Sequence, residues 1–185
     1  MKREYLLSIC MMVKNEEKNL KRCLDALKPL LEKKDVELII VDTGSEDNTV
    51  DIAGQYTDKL YFHKWENHFA NMRNITISYA KGEFIFILDA DEVVKNPLEL
   101  YETIREKQDS ANTFSVRIKN LNAYGDFTTI QQERVFRNDG DFHFTGAVHN
   151  QPRFKEPVIS TKVSLDHYGY LFHNKELRER KFKRT

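Results

Sequence analysis

The chain has 185 residues, of which 40% are hydrophobic and 11% aromatic, so it can bury the core of one folded domain and is not a disordered protein. Lys and Arg together number 29, as do Asp and Glu, and the formal charge of zero gives no overall positive field that would mark nucleic acid as the partner. Two cysteines are too few for a disulfide framework, which indicates a reducing, cytoplasmic environment.

About the first hundred residues alternate between short apolar runs and segments of helical period, which is typical of βαβ units in a mostly parallel sheet. The first run, residues 5–13, predicts a strand buried on both faces, because it is far shorter than the roughly 20 residues that span a bilayer. The further strands are predicted over residues 36–41, 59–63 and 83–88.

Segments of helical period separate these strands. Asn15 is placed to cap the first helix, whose apolar residues recur at three- or four-residue spacing: Leu20, Cys23, Leu24, Leu27 and Leu31. A short helix is predicted over residues 50–53 and a longer one over residues 69–80, which stops at Gly82 as its C′ residue. Another helix is predicted over residues 98–107.

Beyond residue 112 the pattern changes. Alternating segments over residues 113–119 and 128–136 predict mixed or antiparallel strands, followed by a loop through Pro157. The last twelve residues, 174–185, hold six basic and two acidic residues and predict the start of a basic helix that is truncated here. It would either lead into a further domain or contact an anionic membrane surface peripherally.

These patterns predict one α/β domain over residues 1–173. Its first half, residues 1–95, would hold the mostly parallel sheet, and its second half would cover residues 96–173. The oligomeric state is left open by the sequence.

Polar side chains follow three of the predicted strands, at the point where each strand ends. They are Lys14, Asn15 and Glu16 after the first strand, Asp42 after the second, and Asp89 and Asp91 after the fourth. One such cluster often marks only the protein surface. Three clusters predict a ligand-binding edge, because open α/β sheets bind ligands at the carboxyl ends of their strands.

The string Asp89-Ala90-Asp91-Glu92 is the most informative of these clusters. Two carboxylates around a small residue, after a buried strand, suit Mg²⁺ or Mn²⁺ with open positions for phosphate oxygens. Such a cation would offset the charge of a departing nucleoside diphosphate. The chain has no P-loop string and no G-x-G-x-x-G string, and its histidines and cysteines form no zinc pattern.

The residues at this edge resemble those of the family 2 glycosyltransferases, inverting enzymes with the GT-A fold, a Rossmann-like fold of nucleotide-diphospho-sugar transferases. The segments that carry the resemblance are SICMMVKNEEKNLKRCLDAL, ELIIVDTGSEDNT and FANMRNITISYAKGEFIFILDADE. ERVFRN and FHFTGAVHNQP are similar to a subgroup related to lipopolysaccharide-core β-glucosyltransferases and bacterial peptide S-glycosyltransferases. Several members of that subgroup carry helical repeats after the catalytic domain.

The resemblance implies that residues 1–95 are the nucleotide-binding half of the domain and residues 96–173 its acceptor half. It also implies a role for each residue of the nucleotide pocket. Asp42 would hydrogen-bond uracil, although it could equally cap the short helix after it. Lys14, Asn15 and Glu16 would lie near the same pocket. Arg73 would reach towards the base or the diphosphate, or would be a solvated helix arginine.

The resemblance also implies the metal site. Asp91, with Asp89 beside it, would bind Mg²⁺ or Mn²⁺ on the phosphates of the UDP-sugar. His149 would complete the coordination sphere, lie near the acceptor, or have a structural role.

Other candidates are aromatic or cationic. Arg134 and Arg137 could steady the leaving diphosphate, but alternation along the strand puts them on opposite faces, so at most one does. Trp65 could stack on a sugar or simply pack.

One position departs from the subgroup pattern. Inversion needs a general base for the acceptor hydroxyl, and where the subgroup has G-x-V-H-E this chain has Asn150 in place of the glutamate. His149, Glu133, Asp139 or Asp141 would then have to serve as the base. A thiol acceptor, which ionises more readily, would need a base less.

The sequence therefore predicts a metal-dependent inverting glycosyltransferase that moves a hexose, glucose being favoured, from a UDP-sugar to a glycan, lipid-linked or peptide acceptor. The alternative is a non-catalytic domain that binds nucleotide-sugar or acts as a scaffold. A nucleotidyltransferase is disfavoured because VKNEEKN, after the first strand, lacks glycine.

Overall fold

The structure, a computed structural model, describes residues 3–122 and 126–170. Within these ranges it has ten strands and four helices. The strands are β1 (Tyr5–Val13), β2 (Val36–Asp42), β3 (Leu60–Phe62), β4 (Gly82–Ile87), β5 (Glu92–Val94), β6 (Thr113–Asn122), β7 (Phe127–Arg137), β8 (His143–Thr145), β9 (Gln151–Arg153) and β10 (Val158–Tyr170). The helices are α1 (Leu20–Leu31), α2 (Thr49–Ala53), α3 (Phe69–Ser78) and α4 (Pro97–Lys107).

Eight of the strands form one sheet in the order β3-β2-β1-β4-β7-β6-β10-β5. Strands β3, β2, β1 and β4 are parallel, whereas β7 is antiparallel to both β4 and β6. β10 runs parallel to β6 and antiparallel to β5. The short connection from β4 to β5 therefore joins the middle of the sheet to its edge, and it carries the Asp89-Ala90-Asp91 segment.

Both faces of the parallel strands are covered. Leu7, Ile9 and Met11 of β1 pack in the larger core, with α1 and α4, while Cys10 packs in a smaller core with residues of α3 and the β8–β9 hairpin. This division follows from the two-residue period of a strand, which sends successive side chains to opposite faces. The prediction that the first strand is buried on both faces is confirmed.

The α/β class, the parallel half and the mixed second half agree with the sequence prediction, but two local predictions are wrong. α1 begins at Leu20 after Asn19, and Asn15 lies in the preceding loop in a left-handed conformation (φ 54°), so it does not cap the helix. Gly82 does not end α3, whose last residue is Ser78; it is the first residue of β4 and packs against Ser8.

Four strands were not predicted: β5, β8, β9 and β10. The first three have three residues each, too few to show a period. β10 contains polar residues and register shifts that obscure its alternation, and it becomes a strand by pairing with both β5 and β6.

Among the helices that the structure describes, none is long and apolar enough to cross a membrane. The predicted basic segment over residues 174–185 lies outside the described residues.

Candidate functional site

A cavity of about 740 Å³ opens at the carboxyl ends of β1, β2 and β4. This is the edge at which the sequence predicts ligand binding. The cavity is lined by Met12, Val13, Lys14, Glu16, Thr43, Trp65, Asn67, Phe69, Arg73, Asp89, Ala90, Asp91, Val148 and His167. The predicted residues Lys14, Glu16, Arg73, Asp89 and Asp91 are thus brought together around one cavity.

Two loops form one side of this cavity. The backbone N–H of Asn15 donates to Oγ of Ser45 (2.9 Å), and the Asn15 side-chain oxygen accepts from the N–H of Glu46 (2.8 Å). The N–H of Glu16 donates to Oγ1 of Thr49 (2.7 Å). Asn15, predicted near the nucleotide pocket, therefore ties the loop after β1 to the loop after β2, and it does not line the cavity.

Asp42 precedes the cavity-lining Thr43 in the chain, does not itself line the cavity, and is 3% exposed. Its Oδ2 accepts from the N–H groups of Gly44 (2.9 Å) and Ser45 (3.0 Å), so the carboxylate shapes the turn after β2. It does not cap α2, because the N–H of Thr49 donates to Asp47. Oδ1 of Asp42 is buried and has no hydrogen-bond partner within the described part of the chain, which is costly unless a ligand donates to it.

Asp89 is held by two arginines. Nη2 of Arg73, on α3, donates to its Oδ1 at 2.8 Å, and Nη1 of Arg134, on β7, lies 3.7 Å from its Oδ2. Arg134 also forms a close ion pair with Glu92, which is 1% exposed and accepts from the backbone N–H of Asp89 (3.0 Å). Asp89 is therefore part of an ionic network with both guanidinium groups.

The register between β6 and β7 explains why Arg134 reaches this network. Phe114 pairs with Val135 and Ser115 with Glu133, which leaves Arg134 as the extra residue of a bulge. A bulge redirects a side chain relative to simple alternation. Arg137 lies elsewhere, bound to Glu83 (2.8 Å) and Asn112 (2.9 Å), so Arg134 and not Arg137 contacts Asp89.

The network separates the pKa values of its two carboxyl groups. Burial acts to raise the pKa of Asp89, but the charges of Arg73 and Arg134 outweigh it and lower the pKa to about 2. Burial raises the pKa of Glu92 to about 7, against the attraction of Arg134. Asp89 is accordingly an anion at any ordinary pH.

Asp91 meets a histidine that the sequence did not single out. Nε2 of His167, on β10, lies 3.4 Å from Oδ2 of Asp91, and the N–H of Tyr168 donates to the backbone carbonyl of Asp91 at 2.9 Å. Nδ1 of His167 lies 2.7 Å from the side-chain oxygen of Asn120 on β6. Both Asp91 and His167 line the cavity, so together they present an oxygen and a nitrogen at its edge.

The other predicted catalytic residues do not line this cavity. His149 is exposed in the loop after β8, in a left-handed conformation (φ 54°), and the described residues contain no group of three His, Cys, Asp or Glu side chains that could hold a metal. Glu133 is half-buried on β7, next to the bulge. The predicted ligand set of Asp89, Asp91 and His149 is therefore not assembled.

Asp139 and Asp141, the remaining candidates for the base, belong to a second cavity of about 200 Å³. Both carboxylates are paired with Lys155, at 2.8 and 2.6 Å. They do not line the larger cavity.

An apolar wall faces the charged residues. The rings of Trp65 and Phe69 meet edge to face at 4.8 Å, and Nε1 of Trp65 donates to Asn67 (2.9 Å). The N–H of Phe69 donates to the carbonyl of Ala147 (2.9 Å), which fixes the loop that carries Val148. From the sequence, Trp65 could stack on a sugar or simply pack. In the structure it is part of the cavity wall, where Phe69 and Asn67 hold it.

Sequence reasoning missed His167, Asn120 and a role for Glu92. Glu92 belongs to the D-x-D-E string, so its acidic neighbours could have signalled it. His167 and Asn120 had no such signal, because β10 was not recognised and its pairing with β6 cannot be read from local sequence.

Comparison with known proteins gives three kinds of likeness. The model of the family described as Glycosyl transferase family 2 matches residues 8–156. A TPR repeat-containing protein of Synechococcus elongatus is 33% identical over 178 residues, which are 89% of this chain and 42% of that protein. The SPbeta prophage-derived glycosyltransferase SunS of Bacillus subtilis is 32% identical over 145 residues, 76% of this chain and 33% of SunS. The chain thus spans less than half the length of either relative.

Among solved structures, that of S. aureus TarS 1-349 in complex with UDP-GlcNAc superposes with a TM-score of 0.67 and 15% identity. The match covers 96% of this chain and 61% of the TarS chain. At this identity the likeness concerns the fold, and it confirms the predicted GT-A class.

Proposed function

Because the chain belongs to glycosyl transferase family 2, we propose that its large cavity binds a UDP-sugar and a divalent cation, and that it transfers a hexose with inversion. Glucose is the first sugar to test, and the acceptor classes are a glycan, a lipid-linked saccharide or a peptide. The observation that carries the proposal is the Asp91–His167 pair, which presents oxygen and nitrogen ligands in a cavity that also contains Lys14 and Arg73.

The uridine part of the proposal depends on Asp42. Its buried Oδ1 is a hydrogen-bond acceptor, and the imide N–H of uracil is a donor that would satisfy it. The neighbouring Thr43 lines the cavity, so a base bound there would lie next to this carboxylate. The related fold of TarS, whose structure contains UDP-GlcNAc, supports a uridine nucleotide as the donor.

The metal part depends on Asp91 and His167. A carboxylate oxygen and an imidazole nitrogen 3.4 Å apart suit Mn²⁺ or Mg²⁺, with Mn²⁺ favoured by the nitrogen ligand. When bound, the cation would offset negative charge on the departing diphosphate. Asp89, held by two arginines, would orient Arg73 and Arg134 towards that diphosphate rather than bind the metal.

The experiment is calorimetric titration of the chain with UDP, UDP-glucose, UDP-N-acetylglucosamine and GDP-mannose, each with Mn²⁺ and with EDTA. We expect the three UDP ligands to bind more tightly with Mn²⁺ and GDP-mannose to bind weakly. Asp91→Asn should remove the effect of Mn²⁺. The matched control is Asp35→Asn, because Asp35 accepts from Tyr101 outside the cavity.

A second assay, release of UDP from UDP-glucose in the presence of Mn²⁺, distinguishes a transferase from a non-catalytic domain. The alternative function is a domain that binds nucleotide-sugar or acts as a scaffold without catalysis. Asn150 favours it, because this residue replaces the glutamate of the subgroup. The candidate bases Glu133, Asp139 and Asp141 also lie outside the cavity. If the original chain releases UDP and Asp91→Asn does not, the result supports the transferase. Tight binding of UDP-glucose without release of UDP would support the non-catalytic domain. If no nucleotide binds, the proposed donor site is refuted.

A further inference from the structure

The first half of β7 has an open edge. β4 pairs with β7 only at residues 135–137, and β4 ends at Ile87. Residues 127–132 of β7 therefore pair with β6 on one side and with no strand of the described chain on the other. Successive residues of a strand direct their backbone N–H and C=O groups to opposite sides, so every second residue of this segment presents these groups at the open edge.

This edge has none of the usual protection. Folded proteins keep exposed edge strands short or place charged residues or proline on them. The outermost strands of the sheet, β3 and β5, have three residues each. Residues 127–132 are twice as many, are all exposed, and include no charged residue and no proline. Such an edge suits pairing with an added strand.

The open edge lies next to the large cavity. β4 is antiparallel to β7, and Phe86 pairs with Val135, so residues 127–132 run past the carboxyl end of β4. That end leads into Asp89, which Arg134 of β7 approaches to 3.7 Å. The chain then turns away to β5 at the far edge of the sheet, which leaves open the place where β4 would have continued. A strand bound there would run antiparallel to β7, with its amino end nearest Asp89.

One face of this edge is the face of the donor site. Thr128 pairs with Asn120, and Asn120 with the cavity-lining His167, so these three side chains lie on one side of the sheet. Ile130 lies on the same side, opposite the buried Ile118, and is 49% exposed. It extends the apolar core to the open edge and offers a contact to an apolar side chain.

The other face is basic. Arg117 and Lys119 of β6 lie opposite Gln131 and Thr129 of β7. Arg117 is exposed and forms no ion pair with the described residues. Nζ of Lys119 lies 4.0 Å from the ring centre of Phe127, so this ammonium group reaches over β7 towards the open edge.

The nearby carboxylates do not neutralise these two cations. Asp166, which lies opposite Lys119 on β10, is paired with Lys95 at 3.3 Å. Glu133 forms no ion pair with either cation among the described residues. The basic face is therefore available to acidic side chains of a bound strand.

Backbone groups and charge together select the occupant. A saccharide or a lipid has no row of N–H and C=O groups that could complete the open edge. A second copy of this chain would place another Arg117 and Lys119 on the same side of the joined sheet. Residues 174–185 hold six basic and two acidic residues and would also be repelled. An extended acidic peptide satisfies both requirements.

We propose that the open edge of β7, residues 127–132, binds an extended acidic peptide of the acceptor as an added antiparallel strand. Alternate side chains of the peptide would contact Ile130 on the donor face and the basic pair Arg117 and Lys119 on the other. This assignment rests on the proposed function and selects one of its acceptor classes. In the transfer, the bond from C1 of the sugar to UDP would break, C1 would bond to a hydroxyl or thiol of the peptide, and the proton of that group would pass to solvent.

The first experiment measures hydrogen exchange at the amides of residues 127–132 by nuclear magnetic resonance. The probe is a nine-residue peptide in which serine or valine alternates with glutamate. We expect every second amide of the segment to exchange at least about tenfold more slowly when the peptide is bound, because only these N–H groups point to the open edge. The control peptide, with lysine in place of glutamate, should give no protection.

The second experiment locates the contact by calorimetric titration. Arg117→Glu and Lys119→Glu should each weaken binding of the acidic peptide about three- to tenfold. Lys107→Glu, an equal charge reversal at an exposed position of α4, should leave it unchanged. Methylation of the peptide nitrogens at every second residue removes the donors of one edge of the peptide only. Of the two peptides methylated in this way, one should bind and the other should not.

The outcomes distinguish the docking surface from the proposed function. If the acidic peptide protects no amide, or if both methylated peptides bind, strand addition is refuted, while Mn²⁺-dependent binding of UDP would leave the donor site standing. Protection that is present without peptide would mean that another segment of the chain covers the edge. Protection that rises with chain concentration would mean a second copy, and either result overturns the peptide. If the peptide binds by strand addition and no nucleotide binds, the docking surface stands and the proposed function is refuted.

Discussion

Nε2 of His167 lies 3.4 Å from Oδ2 of Asp91, although the two residues come from β10 and from the β4–β5 connection. The contact depends on the pairing of β10 with β5, in which His167 is opposite Glu92, the residue after Asp91. Because of this pairing, the histidine that lies beside Asp91 is His167 and not His149.

The first prediction compares these two histidines. His167→Gln should weaken Mn²⁺ binding in the presence of UDP at least about tenfold, because it removes the nitrogen beside Asp91. His149→Gln should have no effect on Mn²⁺, since that side chain is exposed and outside the cavity. Calorimetric titration of both variants with Mn²⁺ is the measurement. The reverse order of effects would restore the ligand set predicted from the sequence.

The second prediction concerns Asp42. Asp42→Asn should lower UDP affinity about tenfold even in EDTA, because the variant loses a carboxylate oxygen that can accept from the base. Asp47→Asn is the control, since Asp47 accepts from Thr49 at the start of α2 and lies outside the cavity. If Asp42→Asn lowers the melting temperature without changing UDP affinity, the carboxylate serves only the turn.

The third prediction is a pH dependence of stability. Burial raises the pKa of Glu92 to about 7 in the folded chain, above its ordinary value of 4.5. A raised pKa means that the folded state favours the protonated carboxyl, so the stability contributed by Glu92 is complete below about pH 4.5 and is lost as the pH rises through about 7. The free energy of unfolding of the original chain should therefore fall, relative to Glu92→Gln, over this range.

Denaturant unfolding at several pH values measures that difference. The control is Glu106→Gln, which removes an exposed carboxyl group of α4 outside this network. The opposite result would be that the original chain becomes more stable than Glu92→Gln as the pH rises. It would show that Arg134 keeps Glu92 ionised and that the pKa of Glu92 is not raised.

The fourth prediction concerns the contact between β4 and β1. A Cβ added at Gly82 would lie 2.6 Å from the backbone nitrogen of Ser8 and 2.7 Å from its Oγ, so Gly82→Ala should force the strands apart. We expect a loss of about 1–3 kcal/mol in the free energy of unfolding, typical of overpacking. Gly54→Ala is the control, because its Cβ would meet only ordinary contacts from 3.6 Å. Equal stability of the two variants would contradict the close approach.

The sequence by itself determined the elements whose signals are local. The uniform apolar run of β1 and the helical spacing of α1 and α3 depend only on neighbouring residues, and the structure contains all three. It also determined that Lys14, Glu16, Asp89 and Asp91 would meet, because parallel strands bring their carboxyl ends to one edge.

The tertiary structure alone decided which partners these residues have. His167 lies beside Asp91 because β10 pairs with β5, and Arg134 reaches Asp89 because a bulge in β7 redirects it. Such pairings depend on contacts between distant segments. Because no local period records them, the sequence predicts His149 and not His167 beside Asp91, and it places Asn15 at a helix cap and not at the contact between two loops.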